Sequence, residues 1–139
     1  MGYTHYWYHA DKIKSAAKWA LVANDCRRIL PKLGIPLANW EGTEGTKPVV
    51  TQGEIAFNGV RPQSHETFSI GPNVARDFSF CKTAQKPYDL AVTCCLVIAK
   101  HHLPELDVHS DGDISEWEPA IQAVKEHLGY TPNFSLGEG

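Results

Sequence analysis

Apolar and polar positions alternate at the start of the chain. In MGYTHYWYH, residues 1–9, Tyr3, His5 and Trp7 fall on one face of an extended segment, and Thr4, Tyr6 and Tyr8 on the other. The pattern predicts a strand with both faces occupied. The period then changes. Across residues 12–30, Ile13, Ala17, Ala20, Leu21 and Asn24 recur at helical spacing, as do Trp19, Val22, Cys26 and Ile29. This predicts a helix capped by Asp11 and stopped by Pro31 and Gly34. Residues 37–47 (LANWEGTEGTK) have no period and read as a loop. Short strands are expected at 49–51 and 54–57, and Asn58-Gly59 reads as a tight turn. Residues 65–70 (HETFSI) and 77–81 read as further strands, with a turn at Gly71-Pro72-Asn73 between them.

Residues 90–98 (LAVTCCLVI) are apolar nearly all round, which predicts a buried helix. Pro87 suits its first turn, Asp89 faces the positive end of its dipole, and His101, His102 and Pro104 end it. Residues 107–113 (DVHSDGD) read as a short extended piece and a turn. Asp113 with Glu116 has the form of a capping box. Trp117, Ile121, Val124 and Leu128 make one apolar face on a closing helix that Gly129 ends. The order is β-α-β-β-β-β-α-(β)-α. It predicts an α+β fold: a single domain over residues 1–130, with a mainly antiparallel sheet of four to five strands and three helices on one face. Residues 131–139 read as a loose tail. The sheet's other face must then meet water, a ligand or another subunit.

Composition narrows the function classes. A chain of 139 residues favours one compact domain. The formal charge of -3 is spread out, so no basic footprint points to long nucleic acid. No apolar run is long enough to span a bilayer, so no membrane partner is expected. The N-terminal residues lack the charged and apolar regions of a secretory leader. Cys26, Cys81, Cys94 and Cys95 form no C-x-x-C pair, and three of them lie in apolar helical patterns. A reduced, cytoplasmic protein is expected.

The candidate chemistry centres on residues 78–92 (FSFCKTAQKPYDLAV). A strand-to-helix joint needs only a turn and a cap, yet this one holds Lys82, Thr83, Lys86, Tyr88 and Asp89. Backbone N–H groups at a helix N-terminus suit anions, the lysines add charge, Thr83 adds a hydroxyl and Tyr88 offers a stacking ring. The combination suits a phosphate or nucleotide; a solvated loop is the plainer alternative. His65-Glu66-Thr67 matches the half-motif of two-histidine phosphoesterases, but a second copy is missing. Residues 107–118 (DVHSDGDISEWE) align to a calcium loop through Asp107, Asp111, Asp113 and Glu118, with Gly112 at the turn. His109 departs from that pattern, and a Ser-Asp-Gly turn capping the last helix is the simpler reading. No histidine pair has the spacing of a zinc protease. Cys81, beside Lys82 and a helix N-terminus, is a candidate nucleophile or a core cysteine. No cofactor is called for.

Several blocks together resemble a known family. They are the opening Met1-Gly2-Tyr3-Thr4-His5-Tyr6-Trp7, then Phe57-Asn58-Gly59 and His65-Glu66-Thr67-Phe68. Phe80-Cys81-Lys82-Thr83, Lys86-Pro87-Tyr88-Asp89, Ser110-Asp111-Gly112 and Trp117 complete them. They resemble a family of small proteins of phages, prophages and bacterial mobile elements. The resemblance implies a host bacterial cytoplasm and a role against host defence, with no catalytic role attached to any residue. Small phage proteins of this size include some that sequester nucleotide immune signals in homo-oligomers and others that cleave them.

Three functions follow as expectations. The first is a homo-oligomeric binding protein for a cyclic oligonucleotide or cyclic ADP-ribose isomer. Its ligand residues would be His5, Trp7, Asn58, His65, Glu66, Thr67, Lys82, Thr83, Lys86, Tyr88 and Asp89. The second is a phosphodiesterase or nucleotide-cleaving enzyme using His65, His5 and Lys82. The third is an inhibitor that binds a host protein through the aromatic N-terminus.

Overall fold

The computed structural model describes residues 3–8, 13–72 and 78–137, with only the backbone of Phe78. Strand β1 (Thr4–Tyr8) alternates as its pattern requires: His5 and Trp7 are buried, while Thr4, Tyr6 and Tyr8 are half-buried. Helix α1 (Ala16–Ile29) begins later than its periodicity suggests. Ser15 is the cap, its hydroxyl accepting from the Lys18 amide at 3.3 Å. The expected cap, Asp11, lies outside the described residues. A 3-10 turn, Leu30–Leu33, follows and ends at Gly34 in the left-handed conformation.

Five short strands come next: β2 (Leu37–Ala38), β3 (Val49–Val50), β4 (Ile55–Gly59), β5 (Phe68–Ile70) and β6 (Phe78–Lys82). Helix α2 (Asp89–His102) is buried from Ala91 to Ala99, as its all-round apolar sequence demands. Strand β7 (Asp107–Ser110), a 3-10 turn (Ile114–Trp117) and helix α3 (Glu118–Leu128) complete the order. Asp113 caps the 3-10 turn through the Ser115 amide. Gly129 closes α3 at φ 81°.

The strands form two antiparallel sheets. One has the order β6-β1-β7; the other has β2-β4-β3, with β5 also on β4. The chain is a single small α+β domain with three helices, as expected from the sequence. Among the described residues the strands number seven: β3 falls within the strand expected at 49–51, and β2 is a two-residue pairing in the segment expected to be a loop. Asn58-Gly59 is not a turn: both residues end β4, paired to Ala38 and Leu37. Of residues 65–70 only the last three form a strand, but Glu66 joins the sheets. Its amide donates to the Lys82 carbonyl at 3.1 Å, and its carboxylate accepts from the Lys82 amide at 2.8 Å.

Helix α2 packs between α1 and α3, and β7 lies against it. The core gathers Trp7, Trp19, Phe57, Phe68, Tyr88 and Trp117 around α2. Residues 131–137 have no regular structure, yet they are tied down rather than loose. The Tyr130 hydroxyl donates to Asp25 at 2.7 Å, and the Asn133 amide donates to His101 Nδ1 at 2.9 Å. Phe134 stacks on Trp117, and the Gly137 amide donates to the Val108 carbonyl at 2.7 Å.

Candidate functional site

The joint after β6 is a tight reversal. The Lys86 amide bonds the Thr83 carbonyl at 3.0 Å, and the two residues between, Ala84 and Gln85, both take left-handed φ values of 52° and 53°. That conformation is costly for side chains other than glycine. It turns Thr83 inward, where it is fully buried, and leaves Lys82 exposed.

Inward, the joint meets β1 and β7 in one hydrogen-bond chain. Register sets His5 opposite both Cys81 and Ser110. His5 Nε2 lies 2.7 Å from Asp89 Oδ1, and His5 Nδ1 lies 2.7 Å from Ser110 Oγ. Thr83 Oγ1 donates to the same Asp89 oxygen at 2.5 Å. The Gly112 amide donates to Ser110 Oγ at 3.0 Å. Asp89 only accepts, so Nε2 carries a proton; in the neutral imidazole Nδ1 then accepts from the serine hydroxyl. The His5 ring is fully buried, edge-on to Tyr3 at 5.1 Å and to Trp117 at 4.9 Å. Tyr3 donates its hydroxyl to Glu116 at 2.7 Å. Burial, and then the Glu116 hydrogen bond, push the Tyr3 hydroxyl's pKa up, so it remains a donor.

Outward, the same strands present a different surface. Phe80, Tyr6 and His109 stand opposite one another across β6, β1 and β7. Tyr6 and His109 are stacked, centroids 5.4 Å apart and 4° from parallel. Phe80 is 45% exposed. Lys82 is two residues along from Phe80, on the same face by strand parity and opposite Thr4.

The structure divides the residues singled out from the sequence. His5, Thr83 and Asp89 come together, joined by Ser110, which the sequence placed in a Ser-Asp-Gly turn and not among the site residues. Trp7 and Tyr88 do not offer rings to a ligand: both are buried, Trp7 against Phe68 and Tyr88 with its hydroxyl on the Glu66 carbonyl at 2.5 Å. Burial raises the Tyr88 pKa, keeping that hydroxyl a donor. Asn58 is also buried. Its amide bonds the His65 amide (3.0 Å), the His65 carbonyl (2.8 Å), the Gly59 amide (2.8 Å) and the Trp40 carbonyl (3.3 Å), so its capacity is spent inside the protein. Thr67 donates to the Trp40 carbonyl at 2.6 Å, which occupies the hydroxyl that the phosphoesterase half-motif needs. His65 and Lys82 are exposed, and Lys86 and Glu66 half-buried.

The calcium-loop alignment fails. Asp107 and His109 belong to a strand paired with β1, Asp111 accepts from the Thr4 amide at 3.0 Å, and Asp113 caps the 3-10 turn. Glu118 sits in the first turn of α3. Among the described residues no three His, Cys, Asp or Glu side chains converge on a metal-sized site. Cys81 is buried, and desolvation pushes its thiol pKa up to about 12, the opposite of an activated nucleophile. Two clefts open elsewhere. One of about 420 Å³ is lined by Arg27, Leu30, Ile35, Leu37, Lys47 and Val50; another of about 400 Å³ includes Arg61, Gln63, Pro87 and Tyr88.

Phe80, Tyr6 and His109 were legible only in part: alternation puts Tyr6 opposite in sense to His5, but the row needs the β6-β1-β7 register. Comparison of the chain with family models, with curated proteins and with solved structures gives no match.

Proposed function

We propose that the protein binds a nucleotide-type small molecule on the outer face of the β6-β1-β7 sheet. By holding it, the protein sequesters a nucleotide immune signal and counters host defence. The ligand is of the cyclic oligonucleotide or cyclic ADP-ribose type. What carries this reading is the row Phe80–Tyr6–His109 with Lys82 beside it. Exposed ring side chains stack bases whatever their identity, here Phe80 at 45% exposure backed by the stacked Tyr6 and His109, and an adjacent ammonium pairs with phosphate. The site keeps Lys82 from the sequence reading and replaces Trp7 and Tyr88, which are core residues, with Phe80 and Tyr6. The resemblance to small phage proteins supports the host-cytoplasm context and a homo-oligomer.

A two-stage chromatography assay tests it. The protein is incubated with cyclic dinucleotides, cyclic trinucleotides and ADP-ribose isomers, and loss of each from solution is measured before and after heat denaturation. The expected result is a nucleotide that disappears and returns intact. Phe80→Ala should weaken binding by roughly 1–3 kcal/mol, the usual worth of one base–aromatic stack. Lys82→Ala should weaken it and flatten its salt dependence. A nucleotide that returns as a new species means cleavage instead. If nothing is depleted, or both variants bind as the parent does, the reading is wrong and a protein partner is the next candidate.

A further inference from the structure

We infer that Ser110 is an activated nucleophile, with His5 as its base and Asp89 as the group that orients the base, and that it gives the protein hydrolytic activity toward small acyl esters. The observation is the continuous chain Ser110 Oγ–His5 Nδ1 (2.7 Å) and His5 Nε2–Asp89 Oδ1 (2.7 Å). These are the distances at which a hydroxyl, an imidazole and a carboxylate act as a unit. Asp89 is fixed in turn by Thr83. The Gly112 N–H donates to Ser110 Oγ at 3.0 Å and fixes the position of the hydroxyl. Ser110 ends β7 and is half-buried, as is Asp89, whereas His5 between them is fully buried, so the nucleophile lies at the edge of the core.

The chemistry balances without a further reagent. Ser110 Oγ attacks the ester carbonyl carbon, and its proton passes to His5 Nδ1 while the proton on Nε2 stays there, hydrogen-bonded to Asp89. The carbon–oxygen bond to the alcohol breaks, and the departing oxygen takes the proton from Nδ1. Water then gives its proton to Nδ1 and attacks the acyl-serine, releasing the acid and restoring the hydroxyl. Ser110 lies on the face of the sheet turned inward, away from the row of Phe80, Tyr6 and His109, so this activity and nucleotide binding can be lost separately.

The test uses the full chain with a fluorescent fluorophosphonate and peptide mapping, and with 4-nitrophenyl acetate as substrate. Labelling is expected on Ser110, absent in Ser110→Ala, and slower by at least about tenfold in Asp89→Asn, in which the imidazole loses its carboxylate partner. Because Asp89→Asn also loosens the joint, Ser110→Cys provides a second readout: its introduced thiol should be alkylated by iodoacetamide much faster in the folded chain than in urea. An unlabelled Ser110 in a chain with native circular dichroism overturns the proposal. So does labelling that survives Ser110→Ala, or an introduced thiol in Ser110→Cys that reacts no faster than its unfolded control.

Discussion

Asn58 shows how one side chain can look like a ligand reader and be a structural clamp. The sequence pattern places it at a turn and among the ligand residues. In the fold its carboxamide is buried and ties the end of β4 to His65 and Trp40 through three bonds, with a fourth to the Gly59 amide. Removing it takes this partner from the buried Gly59 amide and the part-buried His65 amide and carbonyl, while the Trp40 carbonyl keeps the Thr67 hydroxyl. Asn58→Ala should therefore cost about 2–4 kcal/mol of stability, since each orphaned group carries its desolvation penalty. Urea denaturation would measure the loss, and an unchanged midpoint would contradict the clamp. Tyr88 follows the same logic: its sequence setting beside two lysines suggested a stacking ring, but only tertiary packing shows that the hydroxyl has an internal carbonyl to satisfy.

Helices α1 and α2 and residues 131–137 meet at a latch that responds to acid. The Asn133 amide donates to His101 Nδ1, so this nitrogen must be unprotonated for the bond to exist. Desolvation, and then the neighbouring His102, lower the His101 pKa, with Asp25 opposing; Tyr130 stacks on the ring. A histidine lowered in the folded state stabilises fully above its unfolded value of about 6.5, and that contribution is lost as pH falls through the folded value. Hydrogen exchange at residues 131–137 should accelerate, relative to intrinsic rates, between neutral and mildly acidic solution. His101→Phe should keep the stack on Tyr130 and abolish that pH dependence. Equal protection at both pH values in the parent would exclude the latch. The helices themselves were legible as periods of apolar residues, but the first turn of α1 was not. Periodicity continues through any residue that fits the face, whereas the helix starts where Ser15 can bond the Lys18 amide.

At the scale of the whole molecule, burial decides the cysteine chemistry. Cys26, Cys81, Cys94 and Cys95 are all buried and free of disulfides. Desolvation pushes the Cys94 thiol up to about 12 and raises the Cys95 thiol well above its ordinary value. The folded chain should therefore be inert to Ellman's reagent at neutral pH and release all four thiols on unfolding. Prompt reaction of one thiol in the native chain would show that the core is open. No described helix is long and apolar enough to cross a membrane, in line with the expectation from hydropathy.

What the sequence by itself determined is local: the alternation of β1, the all-round apolar α2, the glycine end of α3, and the α+β order. Those signals depend on neighbours a few residues apart, and the physics of strand and helix periods makes them readable. It also marked Lys82, Thr83, Lys86, Tyr88 and Asp89 as residues that a plain joint does not need, and His5 as a ligand residue. Which of them face inward and which outward was decided by register. Pairing β1 with both β6 and β7 put His5 between Asp89 and Ser110, which lie 84 and 105 residues along the chain, and lined up Phe80, Tyr6 and His109 on the opposite face. A contact between residues so far apart leaves no period in the chain, because it exists only once the strands have met.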